Sequence, residues 1–296
     1  MNVAFIGCVE TSHAAFKQLL KHHVEGKIKL VALITKSKSV FNSDYASLAE
    51  LALELGIETT FFINDTDYEK ALLDKHIDIL FCIGWSHIIP SKILHHVKKA
   101  AIGFHPAKLP RNRGRHPLIW ALALGLTETA SSFFLMEENV DSGALVDQET
   151  IEIFDTDYAR DLYNKVLLVI PQQISKIVKG YHDNSIEPQP QVETGSNYWR
   201  KRSAIDGAID WRMHANDIYN LIRALSSPYP GATFLKGGET YTVTCATHHN
   251  EMVALNFEPG KILSTTRTKV HVKCSGTSSL WLENIDGSKF ITGEYI

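Results

Sequence analysis

The sequence predicts an α/β protein in which a parallel sheet, built from the first part of the chain, is followed by a smaller β-rich domain. Two observations lead to this prediction. Short apolar runs alternate with amphipathic segments through the first half of the chain, which is typical of parallel strands covered by helices on both faces. Roughly the last 60 residues lack a helical period and consist of short strand-like runs between Gly and Asn turns.

The first part of the chain contains several near-continuous apolar runs. Runs of this length predict buried strands, and apolar residues at helical spacing between them, such as Phe16, Leu19 and Leu20, predict amphipathic helices. The predicted strands cover residues 2–7, 30–35, 59–63, 77–83 and 101–105, and the predicted helices begin at Thr11 or Ser12 or cover residues 47–55 and 65–74.

The middle of the chain continues this pattern and then leaves it. A helix begins at Pro117, because proline suits a first helical turn. A long helix is predicted at residues 157–180, where we expect Pro171 to cause a kink or break, and Pro188 and Pro190 mark residues 184–196 as a linker. The remaining predicted elements are strands at 131–136, 145–153, 240–247, 252–256, 261–265, 270–273 and 279–283 and a helix at 214–225.

The composition is that of a globular enzyme and argues against several other classes. The 30 basic and 33 acidic residues leave a net charge of −3, so we expect no nucleic-acid partner. No basic leader precedes an apolar core and no run approaches the roughly 18 apolar residues of a membrane span, so we expect no membrane partner. The four cysteines are scattered without a C-x-x-C spacing, which favours a reduced, cytoplasmic protein. The neighbouring histidine pairs point apart along a helix or strand, so we expect no metal.

A histidine, His105, ends one predicted strand directly before a basic turn around Gly114. Ligands of parallel α/β sheets bind at the carboxyl ends of the strands. We therefore expect three loops to meet at one site: the loop after Gly7, the loop at residues 84–87 and the loop at His105. The first of these loops has no G-x-G-x-x-G and no P-loop, so we expect no dinucleotide or nucleoside triphosphate on it. An imidazole in this position suits proton transfer near an anionic substrate.

Several motifs in chain order resemble one known family, the folate-dependent formyltransferases. The second half resembles the nucleotide-sugar N-formyltransferases more closely than methionyl-tRNA formyltransferase. The motifs are His105-Pro106, Leu109-Pro110, Arg113-Gly114, Pro117, Trp120, Gly125, Thr127-Glu128-Thr129, Val140-Asp141-Ser142-Gly143 and the segments at residues 206–211, 222–225 and 228–232.

The resemblance implies a Rossmann-like catalytic domain that holds 10-formyltetrahydrofolate, followed by a smaller open-barrel (OB-like) domain. We expect the catalytic domain at residues 1–190, a connector at 191–215 and the β-rich domain at 216–296. The family's catalytic histidine and aspartate correspond to His105 and Asp141. A carboxylate beside an imidazole favours the charged ring and fixes its tautomer. A homodimer is a further family expectation.

One position departs from the family pattern. The family has an asparagine two residues before the histidine, and this sequence has Gly103 there. Because that asparagine holds the formyl oxygen as charge develops, its loss would lower the rate by roughly 10²–10³ unless another donor replaces it. The candidates are a protonated His105, a backbone N–H group and Asn112. An inactive protein is the remaining alternative.

The sequence offers contact residues for both substrates, the folate contacts from the resemblance and those at residues 198–202 from their chemistry. Each of these residues has an ordinary structural alternative in the core, on the surface or in a linker. Aromatic rings suit a nucleobase and cationic side chains suit a diphosphate. For folate the expected residues are Trp85, Ser86, Ile88, Glu138, Asn139, Val140 and Asp141, and for the nucleotide sugar they are Gly103, Arg113, Gly114, Arg115, Tyr198, Trp199, Arg200 and Arg202.

The sequence therefore predicts an enzyme that moves a formyl group from 10-formyltetrahydrofolate to the primary amine of a nucleotide-linked amino sugar, a 4-amino-4,6-dideoxyhexose by expectation. Two alternatives keep the chemistry but change the acceptor to methionyl-tRNA or to water. A third alternative is a folate- or sugar-binding regulator that has lost catalysis. The intact His105 and Asp141 argue against the regulator.

Overall fold

A computed structural model of the chain describes residues 1–38, 43–137, 139–249 and 251–296. These residues form two units. The first unit comprises Met1–Pro117, Thr129–Ile151 and Asn164–Trp199, and the second comprises Leu118–Glu128, Glu152–Tyr163 and Arg200–Ile296. Two short stretches that precede Asn164 thus belong to the second unit. The domain boundaries expected at residues 190 and 215 stay a prediction.

The first unit is organised by a seven-stranded sheet of order β3-β2-β1-β4-β5-β7-β8 among the described residues. The pairs among β1 to β5 are parallel, whereas β5 and β7 are antiparallel. The seven strands are β1 (Asn2–Ile6), β2 (Lys29–Thr35), β3 (Thr59–Phe61), β4 (Ile79–Cys82), β5 (Ala100–His105), β7 (Glu128–Leu135) and β8 (Leu145–Glu152). Two further short strands, β6 (Arg113–Gly114) and β9 (Tyr198–Trp199), pair with each other in a separate two-stranded sheet. The helices of the first unit are α1 (Glu10–Val24), α2 (Ala49–Glu54), α3 (Thr66–Leu72) and α4 (Ser91–His96). Helix α5 (Pro117–Ala123) falls almost entirely in the second unit, and α6 (Ala159–Asp183) begins in the second unit and continues in the first.

The side chains of strand β1 pack against helices on both faces of this sheet. Phe5 contacts Phe16 of α1, with ring centroids 5.1 Å apart. Its neighbours Ala4 and Ile6 belong instead to a buried cluster with Tyr68 of α3. Because successive strand residues point to opposite faces, α1 and α3 lie on opposite faces. The predicted α/β class with a mostly parallel sheet is confirmed.

Helix α6 is the main departure in this region. It continues through Pro171 without a break, so the predicted break is wrong, whereas a kink at Pro171 stays a prediction. One face of the helix, including Leu162, Val166 and Ile174, is fully buried. Burial along that face outweighs the single hydrogen bond that a proline removes. Within the described residues, no helix has both the length and the apolar character needed to cross a bilayer.

The second unit is β-rich, as predicted. A hairpin of β10 and β11 lies beside an antiparallel sheet of order β12-β15-β14-β13 in the described chain. Its elements are α7 (Ala215–Leu225), β10 (Ala232–Lys236), β11 (Glu239–Val243), β12 (Cys245–His248), β13 (Ile262–Thr265), β14 (Lys269–Lys273) and β15 (Ser279–Glu283).

Two strand predictions in this unit are corrected. Residues 252–256 form no strand, and Met252 and Leu255 are largely exposed, so this apolar run has neither a pairing partner nor a buried face. The run predicted at 240–247 is two strands, because β11 pairs with β10 and β12 pairs with β15. The strand β10, which pairs with β11, was not predicted.

A buried histidine makes the stability of the second unit dependent on pH. His271 lies 2.9 Å from Ser279 Oγ through Nε2 and stacks on Trp281, and its ring meets that of His249. Burial first, and then the nearby His249, lower the pKa of His271 from 6.5 to about 4. Between these pH values the unfolded chain binds a proton that the folded chain does not, so folding stability falls as pH falls from 6.5 toward 4.

We therefore expect urea unfolding of the wild type to show less stability at pH 5 than at pH 7. The variant His271→Phe, which keeps the stack on Trp281 but cannot take up a proton, should show a smaller loss over the same interval. Equal pH dependence in the two proteins would contradict this assignment.

Candidate active site

A cavity of about 300 Å³ opens in the first unit at the carboxyl ends of β4 and β5. Its walls come from the loop after β4, the end of β5, the basic loop and the turn after β7. Two of the three loops expected to meet at this edge therefore line it. The loop after β1 does not, because it packs behind the cavity: Ser12 Oγ accepts hydrogen bonds from the Cys8 and Val9 amides and donates to the Ile83 carbonyl at 2.6 Å.

His105 and Asp141 meet at this cavity, as the sequence predicts. His105 Nδ1 lies 3.6 Å from Asp141 Oδ2, and the two side chains are only 6% and 11% exposed. Little water therefore screens the pair, which strengthens the attraction between a charged ring and the carboxylate. The residues are 36 positions apart in sequence, and the pairing of β5 with β7 brings their loops together.

The second ring nitrogen of His105 defines the tautomer. Nε2 lies 2.8 Å from the Asn112 carbonyl oxygen. A carbonyl can only accept a hydrogen bond, so Nε2 carries a hydrogen and donates it. Nδ1, which faces Asp141, is then the ring atom that is left to bind or release a proton.

Backbone groups fix the position of Asp141. Its Oδ2 accepts a hydrogen bond of 3.0 Å from the Gly114 amide, and its φ of 58° lies in the left-handed region that few residues adopt. Gly114 is required where it is, because its φ is 101° and a Cβ would lie 2.4 Å from the Trp199 carbonyl oxygen. The glycine lets β6 approach β9 and present its amide to the carboxylate.

Polar side chains of β7 and β8 donate hydrogen bonds to the segment after His105. Ser132 Oγ donates to the Ala107 carbonyl at 2.6 Å. Gln148 Nε2 donates to the Leu109 carbonyl at 3.1 Å and to Ser132 Oγ at 2.9 Å. Because its prolines lack an N–H group, this segment does not pair as a strand. Side-chain donors therefore supply the hydrogen bonds to its carbonyl groups.

The residues expected to contact folate lie around the cavity where the structure describes them. Trp85, Ser86, Ile88, Asn139 and Val140 all line it. Ile88 and Val140 are 81% and 59% exposed at its rim, an exposure of apolar side chains that suits a site covered by a ligand. Glu138 lies outside the described residues.

Trp85 has a structural role as well as a place in the wall. Its Nε1 donates to Tyr68 Oη at 2.8 Å, and its ring packs edge-on against Phe62, with centroids 5.2 Å apart. Core packing and cavity lining are thus combined in one side chain.

The residues expected to contact the nucleotide sugar divide into two groups. Gly103, Gly114 and Arg115 line the cavity. Arg113 does not: it is 1% exposed, and its guanidinium donates to Gln191 and Glu193 and lies over the ring of Tyr198. The expectation of a ligand contact for Arg113 is corrected, because its donors are already used within the fold.

The aromatic and basic stretch at residues 198–202 is also engaged internally. Tyr198 and Trp199 form β9, which pairs with β6. In the second unit, Arg200 is bidentate to Asp206, and both Arg200 and Arg202 lie over the ring of Trp120. Arg200 and Arg202 therefore have partners within the fold, whereas the sequence led us to expect that they contact the nucleotide sugar. Their contact with a substrate stays a prediction.

The structure also shows what occupies the place of the family asparagine. A Cβ at Gly103 would lie 2.8 Å from Phe134 Cζ and 3.1 Å from Met136 Cγ, so side chains of β7 and the following turn fill that space. Asn112 does not line the cavity. It acts through its peptide group, whose carbonyl accepts from His105 and whose amide donates to Asn197 Oδ1 at 2.8 Å. A catalytic role for the side-chain amide of Asn112 stays a prediction.

Sequence analysis missed three polar residues that support the site. Gln191, Glu193 and Asn197 fall in the predicted linker and connector, yet they bond to the loops that carry His105 and Asp141. No local signal distinguishes them, because a polar, proline-rich stretch has the same composition in a free linker and in a segment fixed by distant partners. In the described part of the chain, no cluster of His, Cys, Asp or Glu has the arrangement of a metal site.

The contact between Gly103 and Phe134 leads to a test by paired substitution. We expect Gly103→Ala to lower stability by about 1–3 kcal/mol, because the added methyl group displaces the Phe134 ring. The double variant Gly103→Ala/Phe134→Leu should be more stable than the sum of the two single effects predicts, because leucine lacks the atom that clashes. Urea unfolding of all three variants measures this, and strict additivity would contradict it.

Comparison with known proteins agrees with this architecture. The family model described as Formyl transferase matches residues 1–178, and the one described as Formyl transferase, C-terminal domain, matches residues 201–295. The sugar 3N-formyl transferase WlaRD, solved with dTDP and 5-N-formyl-THF, is 16% identical with a TM-score of 0.74 over 97% of this chain and 98% of its own.

Two further solved structures are similar. The N-formyltransferase from Helicobacter canadensis, in complex with folinic acid and dTDP-3-aminofucose, is 18% identical with a TM-score of 0.73, over 95% of this chain and 98% of its own. HypX from Aquifex aeolicus with tetrahydrofolic acid is 16% identical with a TM-score of 0.65, over 95% of this chain and 43% of its own. These likenesses establish the fold. With both family models matching in order, this chain belongs to the formyl transferase family.

Proposed function

We propose that this protein transfers the formyl group of 10-formyltetrahydrofolate to the primary amine of a nucleotide-linked amino sugar. The observation that carries the proposal is the His105–Asp141 pair at the edge of a cavity in the formyl transferase domain. The similar solved structures support the substrate class, because they include sugar 3N- and 4-N-formyltransferases, some solved with a folate and a dTDP compound.

The residues present fit a reduced folate. The rings and chains of Trp85, Ile89, Leu94, Phe134 and Met136 line the cavity together with polar groups. A mostly apolar cleft with a few polar groups is the usual form of a site for a flat heterocycle. Bound there, 10-formyltetrahydrofolate would supply the formyl group.

The side chains of this chain supply proton transfer and charge stabilisation. His105 Nδ1 accepts the proton that the attacking amine loses, because Nε2 is already engaged as a donor to Asn112. Asp141 stabilises the imidazolium that results. Since Gly103 provides no amide and Asn112 does not line the cavity, we assign the stabilisation of the formyl oxygen to the protonated ring of His105.

We propose a cytoplasmic location and a role in carbohydrate biosynthesis. Cys8, Cys82, Cys245 and Cys274 are free thiols, which suits a reducing compartment. Burial raises the pKa of the Cys82 thiol to about 12, so it stays protonated and unreactive at neutral pH. We propose a homodimer as the working form, and light scattering of the purified protein tests it.

The function is tested by incubating the protein with 10-formyltetrahydrofolate and a panel of UDP-, dTDP- and GDP-linked 3-amino- and 4-amino-dideoxyhexoses. We expect one class of formylated sugar, with the 4-amino compounds as the first expectation. Folate turnover without sugar would point to a hydrolase, formylated methionyl-tRNA to the tRNA enzyme, and binding without turnover to a regulator.

Substitution of the paired residues tests the assigned roles. His105→Asn should lower kcat by about 10²–10⁴ because it removes the proton acceptor. Asp141→Asn keeps an oxygen for the Gly114 amide but loses the charge, so it should cut activity sharply while thermal unfolding stays near that of the wild type. The matched control is His182→Asn on the exposed end of α6, which should retain full activity. Near-normal turnover of His105→Asn would remove its role.

A further inference from the structure

Residues 191–199 return to the site from the far end of α6 and contact both loops that carry the paired residues. This segment includes β9, which pairs with β6 in the basic loop. Its Asn197 accepts from the Asn112 amide through Oδ1 at 2.8 Å and from the Arg113 amide through its carbonyl at 3.1 Å. The carbonyl of Asn112 in turn accepts from His105. The segment thus fixes the acceptor that orients the imidazole.

Gln191 connects this segment to the aspartate side. Its Nε2 donates to the Asp141 carbonyl at 2.9 Å and to the Gly143 carbonyl at 2.7 Å. Its Oε1 accepts from Arg113 Nε at 3.2 Å and from Arg113 Nη2 at 2.8 Å. An amide has two hydrogens and two lone pairs, so Gln191 uses all of its hydrogen-bonding capacity.

The two halves of this amide face different loops. The oxygen faces Arg113 of the basic loop, whose Gly114 amide holds the Asp141 carboxylate. The nitrogen faces the main chain of the turn that contains Asp141. Gln191 therefore bridges the donor of the carboxylate and the backbone that carries it.

The turn needs such support. Asp141 has a φ of 58°, and a Cβ at Gly143 would lie 1.8 Å from the Leu135 carbonyl oxygen, so the chain passes through a conformation that persists only where its surroundings hold it. The carbonyl oxygens of Asp141 and Gly143 both accept hydrogen bonds from the side-chain amide of Gln191. Without that donor, the orientation of the Asp141 side chain is no longer fixed from the main-chain side.

We infer that Gln191 is a positioning residue for formyl transfer, which acts by holding Asp141 in register with His105 and does not line the cavity itself. This inference rests on the proposed function for its activity readout. A shift of about 1 Å in a catalytic group lowers the rate by about 10², so a defect at Gln191 should appear in kcat while the KM values for folate and sugar change little.

The discriminating variant is Gln191→Glu. A carboxylate still accepts from Arg113, but it has no hydrogen to donate and faces two carbonyl oxygens. We expect kcat to fall by about 10² and the amide of Gly114 to exchange faster with deuterated solvent. The matched control is Gln189→Glu, the same change two residues earlier at an exposed side chain that donates to the nearby Glu187 carbonyl at 2.9 Å. It should behave as the wild type in both measurements.

A double-mutant cycle separates positioning from general destabilisation. If Gln191 acts through Asp141, Asp141→Asn/Gln191→Glu should be no slower than Asp141→Asn alone. Multiplicative losses, or a Gln191→Glu enzyme with normal kcat, would overturn the inference. If Gln191→Glu does not fold, the same measurements are made on Gln191→Met, which removes the amide without adding charge. The same outcomes then support or overturn the inference. A wild type that formylates no acceptor would count against the proposed function, and unchanged Gly114 exchange in Gln191→Glu would separately refute the positioning role.

Discussion

The pair formed by His105 and Asp141 depends on peptide groups that neither residue contributes. The ring is oriented by the Asn112 carbonyl and the carboxylate by the Gly114 amide. Both groups belong to the basic loop, so one loop sets the positions of the imidazole and the carboxylate together. Backbone dipoles in a buried site need no reorganisation when charge moves. The rest of the site serves to keep this loop and the turn at Asp141 in place.

Burial makes charged side chains energetically costly in this site. A buried charge is tolerated only with a partner and hydrogen bonds, and the same holds for Arg113, which is 1% exposed yet bonded to Gln191 and Glu193. Arg113, one of the cations expected to contact the nucleotide sugar, therefore links segments of the protein to one another. Arg115, which follows Gly114, lines the cavity instead.

Gly103 illustrates how a change in one family position is accommodated by its neighbours. Without a side chain there, Phe134 from the antiparallel strand β7 and Met136 occupy the space. The site thus has an apolar wall where an amide is expected. In the proposed mechanism, His105 therefore serves both proton transfer and stabilisation of the formyl oxygen, because no side-chain amide extends from position 103.

The sequence alone predicted the α/β class and the β-rich second part, because apolar periodicity is a short-range property of the chain. The resemblance to the formyltransferases singled out His105 and Asp141, which the structure brings to within 3.6 Å. The sequence did not determine which polar side chains are bonded to other parts of the protein. Arg113 and Gln191 are 78 positions apart, and the run at residues 252–256 has strand-like composition but no partner strand. Only the tertiary structure decided these points, because hydrogen-bond partners, strand pairing and burial are set by contacts between segments distant in the chain.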